Sequence, residues 1–149
     1  MVPMEVLAPY GALFASAFLA ATLLPASSEL VLLGLLAAGS GEPVLLVIVA
    51  TVGNTVGSVV NWAIGRGVEV LHNRRWFPVS RERYEQAGDL FRRHGVWTLL
   101  FAWLPIIGDA LTVAAGAARV GLWRFVALVG LGKAARYAVV VAGYAWTTG

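Results

Sequence analysis

Residues 23–39 read LLPASSELVLLGLLAAG. The run is apolar enough to lie in a membrane, yet it carries Pro25 and, four residues later, Glu29. Proline removes one backbone donor, and its ring frees a carbonyl on the preceding turn. Lipid cannot satisfy those groups, so a broken backbone is tolerated only inside protein or beside water. Ser27 and Ser28 are placed to bond the freed groups. Two shapes fit: a proline-kinked helix that crosses the membrane, or a re-entrant helical hairpin that turns at the Pro–acid pair and leaves by the side it entered.

The rest of the chain sets this run in a membrane protein. Its 149 residues allow one domain, here taken as residues 1–149. They are 59% hydrophobic and only 13% charged, where a soluble domain carries about 25% charged residues. There is no cysteine, and the two histidines, His72 and His94, sit among arginines, so neither a metal centre nor a cofactor is expected. The pI near 9.8 does not indicate nucleic acid, because the positive charge is used for membrane orientation. The first ten residues hold no Lys or Arg, unlike the charged start of a secretory signal.

Four apolar stretches are long enough to span: Tyr10–Gly39, Val44–Gly65, Gly95–Ala118 and Leu122–Thr147. Between the second and third lies 66–94, with seven arginines, four acids and both histidines. Within it Ser80 is a candidate N-cap, and RERYEQAGDLFRRH puts Tyr84, Ala87 and Phe91 on one helical face. Gly95 ends that helix. It is expected to lie on the membrane surface.

The third stretch repeats the opening one. LPIIGDALTVAAGAA has Pro105 followed at four residues by Asp109, as Pro25 is by Glu29. Asn54 lies 29 residues after Pro25 and Lys133 lies 28 after Pro105, each preceded by a glycine. Gly108 is expected to give the second half its turn. The chain is read as two repeats, 10–65 and 95–147, joined by the basic amphipathic linker 66–94.

Arginine positions favour the hairpins over kinked spans. If stretches one and three are re-entrant, one face holds nine arginines (66, 74, 75, 81, 83, 92, 93, 119 and 124) and the other none. If all four span, the count is seven against two. The positive-inside rule prefers the first, which puts 66–94 in the cytoplasm and both termini outside. Each repeat then crosses once, so the second is inverted relative to the first, a plan shared with many secondary transporters. The predicted fold is an all-α integral membrane protein, an inverted repeat of re-entrant hairpin plus transmembrane helix.

Glu29, Asp109, Lys133 and Arg136 lie deep in apolar sequence. Each costs about 2.5–3.5 kcal/mol at the bilayer centre, so they must pair or face water. Lys133 and Arg136, three residues apart, share a helix face. Glu29 and Asp109 are assigned to proton coupling, and Lys133, Arg136, Asn54 and Ser28 to binding a charged headgroup. A structural salt-bridge cluster is the alternative. Gly53 and Gly57 form a small-xxx-small pattern that implies close helix packing. Trp97, Trp103, Trp123 and Trp146 read as interface anchors.

At LPASSE, GNTVGSVVNWAIGR, WLPIIGD and GLGKAARY the sequence resembles the DedA family of bacterial inner-membrane proteins, which share the VTT (SNARE-associated Golgi) domain. The likeness runs from about residue 10 to 145 and is nearest to the short YqaA-type branch. It implies two opposed re-entrant hairpins and movement of lipid between leaflets, either proton-motive-force-coupled flipping of undecaprenyl phosphate or phospholipid, or scrambling. It matches Glu29 to the acid of the first hairpin, implicated in proton coupling. Longer members carry arginines three residues before and after the second-hairpin proline. Those positions are Ala102 and Gly108 here, and Lys133 and Arg136 supply the positive charge instead. The expectation is a multi-pass inner-membrane transporter of an anionic lipid that uses protons, is not an enzyme, and is able to form a homo-oligomer. The alternatives are a proton-coupled transporter of a small ion or amphipathic cation, and a non-transporting assembly factor. An intramembrane aspartyl hydrolase is disfavoured, because the nearby cations would keep both acids ionised when a shared proton is required.

Overall fold

The computed structural model describes residues 3–22, 27–67, 80–104 and 107–148. Pro25, Pro105, the Ser27 side chain, His72, Arg74 and Arg75 lie outside the described residues. The described chain is all helical: α1 (Met4–Thr22), α2 (Ser27–Ala37), α3 (Pro43–Arg66), α4 (Arg81–His94), a 3-10 segment (Gly95–Phe101), α5 (Ile107–Ala117) and α6 (Leu122–Thr148). Three of these helices, α1, α3 and α6, are long and apolar enough to cross a membrane. The 11-residue α2 and α5 are not: each is about 16 Å long at 1.5 Å per residue.

The boundaries have local causes. Glu42 caps α3 by accepting from Val44 N at 3.2 Å and Leu45 N at 2.9 Å, with Pro43 just inside the helix, where its missing donor costs nothing. Ser80 caps α4 by accepting from Arg83 N, and Gly95 closes that helix at φ 72°, both as read from sequence. The short helices end alike. Ser40 N donates to Leu35 O and Gly39 N to Leu36 O; Val120 N donates to Ala115 O and Arg119 N to Gly116 O. Both are Schellman closures. The first puts a glycine in the left-handed position (Gly39, φ 66°), the second an arginine (Arg119, φ 61°). Residues 27, 29, 37 and 39 thus correspond to 107, 109, 117 and 119, a constant shift of 80.

The central helix is α3, which packs against α1, α5 and α6. Small residues make this possible. A Cβ on Gly53 would sit 2.7 Å from Phe14 O, and one on Gly57 2.6 Å from Phe18 O, so the expected close packing is real and its partner is α1. Gly65 meets the Val113 carbonyl of α5, and Gly116 of α5 meets the Trp62 carbonyl of α3, a reciprocal contact. Side-chain amides add to the α1 contact. Asn54 Nδ2 donates to Ala17 O at 2.9 Å, and Asn61 Nδ2 to Ala21 O at 3.0 Å. Ala21 O is among the last four carbonyls of α1, which have no partner within the helix.

These contacts fix directions. Residues 10, 17 and 21 of α1 meet residues 42, 54 and 61, so α1 and α3 run parallel. Glu42 N donates to Tyr10 Oη at 3.0 Å, which puts the two ends of segment 10–42 side by side. Helix α1 is long enough to span, but only Tyr10 onward runs beside α3, about 18 Å of rise. At the other end of α3, Trp62 Nε1 donates to Val120 O at 2.9 Å, and the Trp62 ring packs on Phe125. Helix α6 therefore starts where α3 ends and runs antiparallel to it.

Residues 95–101, at the start of the stretch read as re-entrant, form a seven-residue 3-10 segment, longer than is usual for that geometry. Two features differ from the sequence reading. The apolar face of α4 is occupied by protein: Ala87 is fully buried against Ala110, Leu111 and Ala114 of α5, with Tyr84 beside them. Gly108 is not a turn residue. It is helical and buried, and its lack of a side chain lets the first turn of α5 lie directly on the Ala102 carbonyl.

Candidate functional site

Asn54 is the twelfth of 24 residues in α3, and Lys133 the twelfth of 27 in α6, so their contact lies halfway along both spans. Lys133 is 3% exposed. Its ammonium donates to Asn54 O at 3.3 Å and to Ser58 Oγ. The two residues that the repeat pairs across the chain therefore touch. They do so through the Asn54 backbone, because its side-chain amide is committed to α1.

One turn of α6 further on, Arg136 bridges two other elements. Its Nη2 forms an ion pair with Glu29 Oε1, and its Nη1 donates to Trp103 O at 2.7 Å. Glu29 sits in the first turn of α2, and Trp103 lies two residues past the 3-10 segment. Ser28, 2% exposed, shares a 2.8 Å hydrogen bond with Tyr137 Oη. Asp109 occupies the first turn of α5, within electrostatic reach of Lys133 and Arg136. Among the described residues it makes no ion pair within 4 Å.

All four ionisable groups line one cavity of about 20 Å³, together with Asn54, Ser28 and Trp103. That volume holds about one water molecule. Both acids stand in the first turn of a helix that starts inside the protein. Such a helix start presents unpaired N–H groups and about half a positive charge, and a carboxylate there offsets it. Each acid thus sits where it offsets the positive start of its own helix.

Sequence reasoning missed Tyr137, Ser58 and the Trp103 carbonyl. Tyr137 follows Lys133 by four residues and Ser58 follows Asn54 by four, so helical spacing could have found both. A backbone carbonyl leaves no mark in sequence. Trp103 is thus a site residue through its main chain, whereas Trp97, Trp123 and Trp146 are exposed, at 66%, 82% and 88%, as anchors would be. Among the described residues, no three His, Cys, Asp or Glu side chains converge to hold a metal.

The VTT domain model matches residues 24–145. The chain is 41% identical over 130 residues to the inner membrane protein YqaA of Escherichia coli, covering 87% of each chain, and equally to YqaA of Shigella flexneri. It is 33% identical over 136 residues to an uncharacterized protein of Haemophilus influenzae, covering 87% of this chain and 83% of that one. No solved structure matches. With the family model covering most of the chain and inner-membrane relatives aligned along nearly its whole length, the chain belongs to the VTT-domain, or DedA, family of membrane proteins, in the branch of the YqaA-like proteins.

Proposed function

We propose that this chain moves an anionic lipid between the leaflets of the inner membrane, coupled to protons, through a site where two inverted re-entrant hairpins meet. The single observation that carries the reading is the convergence of Glu29, Asp109, Lys133 and Arg136 on one water-sized cavity halfway along α3 and α6. The four side chains sum to zero charge. The two helix starts add about half a positive charge each, so the centre favours an anion by about one unit. A guanidinium fork suits phosphate oxygens, and Glu29 already occupies that fork. Protonation of Glu29 frees it, and an arriving phosphate replaces the carboxylate. Lys133 holds the second positive charge, and Asp109 takes or releases a second proton.

The hairpin reading draws support from the ends of each segment. Tyr10 lies beside Glu42, and Trp62 beside Val120, so the chain between 10 and 42 returns to the level where it began. Arg66, Arg119 and Arg124 then share the end of the molecule that carries α4, opposite Glu42. By the positive-inside rule that end is cytoplasmic and both termini are periplasmic. The two repeats, 10–65 and 95–147, are then opposed in the membrane, with the 80-residue correspondence of α2 and α5 as their common core.

The test is a headgroup-resolved flipping assay in proteoliposomes, with and without a pH gradient. Wild type should flip an anionic lipid faster under a gradient, and Glu29→Gln should lose the dependence on pH. If Glu29→Gln changes only the yield of folded protein, and what remains transports with wild-type pH dependence, the cluster is structural. A second reading has one specific observation in its favour: 20 Å³ suits a water or small ion better than a headgroup. Small-ion or amphipathic-cation flux without lipid movement in the same vesicles would decide for it.

A further inference from the structure

An apolar groove of about 540 Å³ runs along the outside of the 3-10 segment, within the size range of small-molecule sites. Helix α4 borders it with Leu90 and His94, the 3-10 segment with Trp97 and Phe101, and the stretch after that segment with Leu104. Its exposed hydrophobics are large: Leu90 is 38% exposed, Trp97 66% and Phe101 54%.

Three observations define what fits. The segment Gly95–Phe101 has seven residues. At about 2.0 Å per residue in a 3-10 helix it is about 14 Å long, half of a hydrocarbon core of about 30 Å, or one leaflet. The last turn of α4, immediately before the segment, carries Arg92, Arg93 and His94. Arg92 pairs with Asp89, while Arg93 and His94 are exposed and His94 lines the groove. Leu104, finally, lines both this groove and the central cavity.

We propose that the groove seats one hydrocarbon chain of an anionic lipid from the leaflet on the α4 side, with its phosphate at Arg93 and His94. The depth matches one chain of one leaflet, the basic turn stands where the headgroup of that chain would lie, and the inner end adjoins the ionisable site. The groove is then the station from which a lipid approaches Arg136. This rests on the lipid reading above and names where the lipid waits.

The experiment uses the full chain in vesicles of equal phosphatidylglycerol and phosphatidylcholine. Each lipid in turn carries a photoactivatable acyl chain, and the labelled peptides are mapped. The phosphatidylglycerol probe should label the peptide containing 97–104 severalfold more than the phosphatidylcholine probe. The double variant Arg93→Glu/His94→Glu, at exposed positions, should bring that labelling down to the phosphatidylcholine level. Leu90→Trp, which fills the groove at a part-exposed position, should lower labelling by both probes. Glu29→Gln should leave labelling at the wild-type level while abolishing pH-dependent flipping, which separates the two ideas. If wild type flips nothing yet the labelling pattern holds, the groove assignment stands and the transport reading falls. Equal labelling by both probes in wild type overturns the groove assignment, as does phosphatidylglycerol labelling that neither variant changes.

Discussion

The Glu29–Arg136 contact joins α2 to α6, and its strength follows from where it lies. The two side chains are 17% and 27% exposed. Breaking one partner of a fully buried pair costs about 3–5 kcal/mol, because the other charge is stranded. Partial exposure and a cavity able to hold a water reduce that to about 2 kcal/mol. Arg136→Met also strands the Trp103 carbonyl, and a hydrogen bond from a charged donor contributes about 1.5–3 kcal/mol. The single variant should therefore lose about 3.5–5 kcal/mol. Glu29→Gln keeps an acceptor near the guanidinium and should lose about 1–2 kcal/mol. In the double variant Glu29→Gln/Arg136→Met no charge of this pair remains, and the loss should fall short of the sum by about 2 kcal/mol, within the range for contacting residues. The assay is reversible denaturation of the purified protein in mixed micelles, followed by helix content, for wild type and the three variants. Additivity to within about 0.5 kcal/mol would mean that the two groups do not interact, and the site as described would be wrong.

Three further outcomes follow from the packing and the caps. Gly65→Ala and Gly116→Ala each push a methyl into a carbonyl of the facing helix, so each should destabilise by about 1–3 kcal/mol in the same denaturation assay. Gly11→Ala, whose added Cβ would meet nothing within 4 Å, should be neutral or stabilise by up to about 1 kcal/mol. Arg119→Gly relieves a left-handed backbone and should raise the unfolding midpoint, whereas Gly39→Ala should lower it, by about 1 kcal/mol each. Cysteines at Glu5 and Thr148 should label from the periplasmic side of intact cells and one at Glu85 should not; labelling of the termini only after permeabilisation reverses the proposed orientation.

Hydropathy carried the long helices of this fold. Helices α3 and α6 begin and end within a residue of the apolar stretches read from sequence, because charge and Pro or Gly mark both ends. The Ser80 cap and the Gly95 stop were legible for the same reason. The repeat reading matched position 54 to position 133 as equivalents, and their contact is a finding of the structure. Partners inside the membrane were not legible. Spacing puts Tyr137 on the Lys133 face of its helix, but nothing in the sequence named Ser28 as its partner. The role of Gly108 was misread because a glycine needed for close approach and one needed for a turn look identical in sequence. Nor does the composition of GVWTLLF distinguish a 3-10 segment from the opening turns of a spanning helix.

Asn54 gives its side chain to α1 and its carbonyl to Lys133 of α6. One residue thereby clamps three helices at mid-height, while α2 touches α3 and α6 only lightly and leans mainly on α1. The ties between elements are therefore uneven across the described residues. Parting α3 from α6 breaks the hydrogen bonds of a buried ammonium and a packed interface. Swinging the Glu29 end of α2 away from α6 breaks the Glu29–Arg136 ion pair and the Ser28–Tyr137 hydrogen bond. The acid rides on a short helix lightly tied to α3 and α6, and the bases on a long helix packed against α3. On the proposed reading, a proton that neutralises Glu29 would remove the ion pair and leave the Ser28–Tyr137 hydrogen bond to hold a whole helix to α6.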